Sequence, residues 1–193
     1  MLQSRKLKLG TCLTISGAII TLSGNYALAQ SNIVPDRTLG AESSTVVKPD
    51  AQTDEIRGGA TRGTNLFHSF EKFSIPINGV AHFGNAANIQ NIITRVTGES
   101  VSNIEGKLKA NGTANVFLLN PNGIVFGPNA SLYIGGSFVA STASSLKFAG
   151  GSQFSATEPQ TSPLLTVSVP IGLQFGAGVG RLVNQSVAVN NSG

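Results

Sequence analysis

The chain has 193 residues, with thirteen Lys and Arg against nine Asp and Glu, and a single cysteine. Three of the cations, Arg5, Lys6 and Lys8, fall in an N-terminal leader, leaving ten cations against nine acids, a balance that argues against nucleic acid or an anionic membrane as the partner. Cys12 lies in the same leader, so the rest of the chain has no disulfide framework and no covalent lock against threading through a pore.

Taken in order, residues 1–29 read as a signal peptide. The cations come first, the apolar run "TCLTISGAIITLSG" follows at residues 11–24, and Ala27-Leu28-Ala29 supplies the small-x-small site. The run is too short for a spanning helix, which needs about 20 apolar residues. Cleavage after Ala29 makes Gln30 the new N-terminus. Residues 30–54 are polar, carry Pro35 and Pro49, and read as an extended, loosely attached N-terminal arm.

From residue 55 to 193, short apolar pieces alternate with turn residues, and Gly or Pro interrupts nearly every helical window, so the expectation is all-β. Residues 86–97 carry β-branched Ile89, Ile92, Ile93, Thr94, Val96 and Thr97 and are read as strand. Apolar clusters centred on Phe83, Ile104, Phe126, Phe148 and Phe175 recur at intervals of a little over twenty residues. That period suits stacked repeats, each too small to bury its own apolar face. A parallel β-helix follows, with three short strands and three corners per coil.

Within it, "NVFLLNPNGIVFG" runs apolar, turns and runs apolar again. Pro121 presets φ for the second turn position, Asn122 tolerates the third, and Gly123 leaves the turn. Asparagines recurring in successive coils can stack into amide ladders. A surface turn in a β-sandwich would look the same over these four residues.

No constellation for catalysis is present. His68 and His82 each stand beside a Phe, as structural histidines do, and neither cysteine ligands nor an acidic cluster supports a metal. The acids are scattered and offer no carboxylate pair of glycosidase type. The reading is therefore of a protein that is not an enzyme and binds no cofactor or metal.

The segment "NVFLLNPNGIVFGPNASLYIGGSFVASTA", with "GTNLFHSFEKFSI", "NIITRVTG", "SNIEGKL" and "PLLTVSVPIGLQFG" in order around it, resembles the two-partner secretion domain of filamentous-haemagglutinin-like exoproteins, in particular the cyanobacterial type. The likeness covers roughly residues 32–180. It implies a right-handed parallel β-helix with an N-terminal cap, read as a secretion signal by an outer-membrane transporter with periplasmic POTRA domains. It also implies export by the general secretion machinery, transient passage of the outer membrane, folding at the cell exterior, and adhesion by the full-length protein. A host or cell-surface glycan would be the adhesive partner.

Asn120, Pro121, Asn122, Gly123 and Ile124 match the family's most specific element. A second element, often N-P-x-x-I, reads here Asn85-Ala86-Ala87-Asn88-Ile89 without its proline, and an N-P-N-L element found in some members is absent. Relatives commonly run much longer, so the chain is expected to break off inside a coil. The alternative reading is a carbohydrate-binding or polysaccharide-degrading β-helix, which predicts an exposed aromatic platform or paired acids along one face.

Overall fold

Runs of branched and aromatic residues, broken by Asn, Gly and Pro, fold as strands of three to ten residues. The computed structural model describes residues 32–159 and 168–187. The first coil carries β1 (Asn32–Pro35), β2 (Ser44–Val47), β3 (Thr53–Gly58), β4 (Ala60–Arg62) and β5 (Asn65–Ser74). The second is β6 (Val80–Phe83), β7 (Asn91–Val96) and β8 (Ser102–Ile104); the third is β9 (Lys107–Ala110), β10 (Asn115–Leu119) and β11 (Gly123–Phe126). A further coil begins with β12 (Ser131–Tyr133) and β13 (Phe138–Ser141), leaves the stack as β14 (Ser145–Phe148), β15 (Gln153–Ser155) and β16 (Pro170–Gln174), and returns as β17 (Arg181–Asn184).

Parallel pairing stacks these strands into a β-solenoid of about three turns. Sheet I runs β1-β5-β7-β10-β13, with β4 on the side of β5; sheet II runs β2-β3-β6-β9-β12; sheet III runs β8-β11-β17. A single bridge from Ile75 to Ile104 adds the first coil to sheet III. The interior is filled from all three sheets: Ile56, Phe83 and Leu108 from sheet II, Phe70, Ile92 and Val116 from sheet I, Ile104 and Ile124 from sheet III, all buried. Each such side chain contributes about 1.5–3 kcal/mol when fully buried.

Asparagine ladders form where sheet I begins. Asn91 Nδ2 donates to Asn65 Oδ1 at 2.9 Å, and Asn115 Nδ2 donates to Asn91 Oδ1 at 3.0 Å. The ladder ends on the Ser137 backbone N–H, which donates to Asn115 Oδ1 at 2.9 Å. Each amide uses both its donor and its acceptor, so burial leaves little unmet polarity.

Stacking also dictates where side chains cannot exist. A Cβ on Gly106 would stand 2.3 Å from the Gly79 carbonyl oxygen and 2.5 Å from that of Pro76. Both are backbone atoms of the preceding coil and cannot swing away. Gly106→Ala is expected to cost about 1–3 kcal/mol, as overpacking does, read as a lower urea midpoint with an unchanged slope. An unchanged midpoint would mean that the coils are not this closely stacked.

The N-terminal segment is more firmly held than its polarity suggests. β1 pairs antiparallel with β5, and β2 antiparallel with β3, so both strands close the first coil against edge pairing. Strand formation there rests on the partner edge, which the local sequence does not show. Of the strand expected over residues 86–97, β7 covers Asn91–Val96, while residues 86–90 belong to the corner before it.

The spacing of the phenylalanines does not mark the layers. Ile104 does pair with Phe126, but Phe83 pairs with Ala110. Phe148 belongs to the excursion, where β14 pairs antiparallel with β15 and β16. Phe175 is 51% exposed. The ladder asparagines stand 26 and 24 residues apart, a longer step than the sequence spacing implied, because the corners carry more residues than the strands require.

Candidate functional site

The Asn-Pro-Asn-Gly corner joins β10 of sheet I to β11 of sheet III. The Gly123 N–H donates to the Asn120 carbonyl at 3.1 Å, closing a four-residue turn. Gly123 takes φ +128°, a conformation that favours glycine. Pro121 and Ile124 are buried, whereas Asn122 is exposed.

Asn120 is fully buried and works as a rivet between coils. Its Nδ2 donates to the Ser100 carbonyl and to Ser102 Oγ, both at 2.9 Å, in the preceding coil. Its Oδ1 accepts from the Asn122 N–H at 3.0 Å, an Asx turn that shapes the corner. Its backbone N–H donates to the Ser141 carbonyl of the following coil at 3.0 Å. Asn122 Nδ2 in turn donates to the Gly98 carbonyl at 2.6 Å. The corner therefore links three coils. Beside it lies a cleft of about 450 Å³ lined by apolar Val101, Val125 and Val183 and polar Asn122, Arg181 and Gln185.

The second element, Asn85 to Ile89, lies at a different corner, between sheets II and I. Asn85 Oδ1 accepts from the Asn111 backbone N–H at 2.9 Å, and Asn111 Nδ2 donates to the Asn85 carbonyl at 3.1 Å, a second amide ladder. The Ile89 N–H donates to the Ala86 carbonyl at 3.1 Å. Asn85 and Ile89 are buried, while Ala86, Ala87 and Asn88 face solvent. Ala27, Ala29 and Gln30 lie outside the described residues.

A family model described as the TPS secretion domain matches residues 31–193. The chain belongs to that family. No curated protein matches it. TPS domains belong to proteins secreted across the outer membrane with a dedicated transporter as partner.

This TPS domain holds two further polar clusters: one around Arg95 that the sequence did not announce, and one around His68, the histidine expected to be structural, whose partner Ser44 the sequence did not show. The first joins the N-terminal strands, sheet I and the excursion around Arg95, which is 1% exposed. Arg95 Nε donates to Ser69 Oγ at 2.9 Å, Nη1 to the Ser155 carbonyl at 2.6 Å and Nη2 to Thr38 Oγ1 at 2.8 Å, while its guanidinium lies 4.1 Å from the centre of the Phe154 ring. Thr38 and Ser69 pass the interaction on, donating through their hydroxyls to the two oxygens of Asp36 at 2.6 and 2.7 Å. Thr97 Oγ1 also donates to Asp36 at 2.6 Å.

Burial by itself would raise the Asp36 pKa, but these hydrogen bonds outweigh it and hold the carboxyl below its usual range. Burial lowers the Arg95 pKa to about 10, against the opposing charge of Asp36, so the guanidinium stays charged at neutral pH. The signal in the sequence was one cation inside the otherwise uncharged strand Asn91–Val96.

The second cluster centres on His68, buried beside the rings of Phe70 and Phe83. Its Nδ1 bonds Ser44 Oγ at 3.0 Å, and Nε2 has no hydrogen-bond partner among the described residues. Desolvation pushes its pKa down to about 3. An unfolded histidine takes its proton near pH 6.5. Between those values the unfolded chain binds one more proton, so stability is full above about pH 6.5 and falls as the pH drops. From pH 7.5 to pH 5 the loss from this group is about 2 kcal/mol. Urea titrations at the two pH values should show that loss and His68→Gln should remove it; equal losses in both proteins would contradict the assignment. Asp36 adds to acid lability only below its ordinary value of 3.8.

Proposed function

We propose that this TPS domain is the secretion signal of a filamentous-haemagglutinin-like exoprotein, carried through the periplasm unfolded and folding as a solenoid outside. The observation that carries the reading is the corner at Asn120–Ile124, a family element that locks three coils through one buried asparagine. In the extended chain, segments such as residues 115–126 can add as strands to the POTRA domains of the transporter, whose sheet edges supply the missing backbone partners. Outside, the same segment closes its turn, Asn120 docks, and burial of the coil interior makes return unfavourable. The absence of cysteine beyond Cys12 keeps the transit form free of cross-links. Residues 1–29 act as the leader, removed after Ala29, and residues 30–54 begin the exported chain as its N-terminal arm. Adhesion then belongs to the full-length protein at the cell surface.

The test is expression of the chain with and without a two-partner transporter from the same genome. The chain should reach the medium only when the transporter is present. Equal release in its absence would overturn the reading.

A further inference from the structure

The outer face of sheet II has no place in the secretion role. Register puts Glu55, His82, Lys109 and Tyr133 in one outward column, and Thr53, Val80, Lys107 and Ser131 in the next. The alternate residues Ala81 and Leu108 point inward and are buried. Sheet I, by contrast, has its outer face closed, with Phe67, Ile93 and Leu119 packed against Leu146, Phe148 and Phe154 of the excursion.

The charge on the open face is cationic. Glu55 is its only acid, and Arg57 already holds it at 2.7 Å. Nearby Asp50 accepts from the backbone N–H groups of Gln52 and Thr53, at 2.9 and 2.7 Å. The carboxylate of Glu105 lies over Gly127, at the corner where the chain passes from sheet III into sheet II, two residues before Lys107 and in no ion pair with it. Lys107 and Lys109 are exposed and make no ion pair among the described residues. They project from one strand about 6.6 Å apart. Tyr133 is 55% exposed, and the Lys107 ammonium stands 5.8 Å from its ring centre.

We propose that this face binds an acidic polysaccharide, with Lys107 and Lys109 pairing to its anionic groups and Tyr133 packing against a sugar ring. Two free ammonium groups on a rigid ladder match a polymer that repeats its charge. An amphipathic aromatic ring between strand and solvent suits a saccharide better than a bare ion. Within the strand columns the one acid, Glu55, is held by Arg57, so the proposal is of binding and not of glycoside cleavage, which needs a pair of free carboxylates. This inference is independent of the transporter reading and stands or falls by itself.

The test uses the purified full chain on polygalacturonate beads, with neutral dextran beads and phosphatidylserine vesicles as comparison arms. The expected result is salt-sensitive retention on polygalacturonate alone. Lys107→Gln/Lys109→Gln should bind about tenfold more weakly, equal to losing about 1.4 kcal/mol. Tyr133→Ala should also weaken binding several-fold, and Lys147→Gln, on the excursion, should leave it unchanged. Thermal midpoints equal to that of the parent would confirm folding, and Lys109→Gln alone serves as the milder variant. Absent retention, full retention by the lysine variants, or binding to the vesicles in place of the polysaccharide would each overturn the proposal, the last in favour of a membrane surface.

Discussion

Arg95→Met is expected to lower the unfolding free energy by about 3–5 kcal/mol, the usual cost of removing one member of a buried charge pair. Arg95 and Asp36 never touch directly. Thr38 and Ser69 stand between them, each accepting from the guanidinium and donating to the carboxylate. Removing the cation leaves two hydroxyls without their donor, the Ser155 carbonyl without a partner and the Asp36 charge uncompensated. Adding Asp36→Asn to Arg95→Met should therefore restore part of the loss. A double-mutant cycle in urea measures the coupling, expected above about 1 kcal/mol for groups in one network. Additive losses would show that the two charges do not communicate. Because the network joins Asp36 to Ser155, it closes only after segments more than a hundred residues apart have met.

The second large effect is expected at the corner. Asn120→Ala removes the bonds to the Ser100 carbonyl, Ser102 Oγ and the Asn122 N–H; Asn120 and Ser102 are buried, whereas Ser100 and Asn122 are exposed and can turn to water. Groups left unsatisfied cost about 1–3 kcal/mol each, less any bonds they remake, so a total near 3 kcal/mol is expected. Asn122→Ala should cost less than about 1 kcal/mol, since its side chain is solvent-exposed and its bond to the Gly98 carbonyl can be replaced by water. Equilibrium unfolding of the two single variants checks the ranking, and a larger loss for Asn122→Ala would reverse the roles given to the two side chains.

Much of this was legible in the sequence because local chemistry settles it. Asn-Pro-Asn-Gly folds as a turn wherever it stands, and branched residues between turns form strands. The amide ladders were legible in kind, since asparagines recurring once per coil have few other ways to bury an amide. Register was another matter. Any apolar residue fills the interior, so Phe83, Ile104, Phe126 and Phe148 carried no label for sheet or layer, and the antiparallel excursion of β14 to β16 put Phe148 outside the stack. Asp36 and Arg95 lie 59 positions apart, and only the meeting of sheet I with the N-terminal strands makes them one site. The attachment of β1 and β2 was hidden for the same reason: their short apolar pieces, Ile33-Val34 and Val46-Val47, lie among polar residues and are held by the edges of β5 and β3.

The central claim is that the Asn120 corner serves secretion and not only stability. The most direct measurement compares transporter-dependent release of Asn120→Ala/Asn122→Ala with that of Gly106→Ala, which disturbs stacking at a different corner. With unfolding free energies measured for both, the account predicts that the corner variant accumulates in the periplasm while Gly106→Ala, at comparable stability, is released near the parent level. Equal release of the two, or release of the corner variant at the parent level, would contradict it.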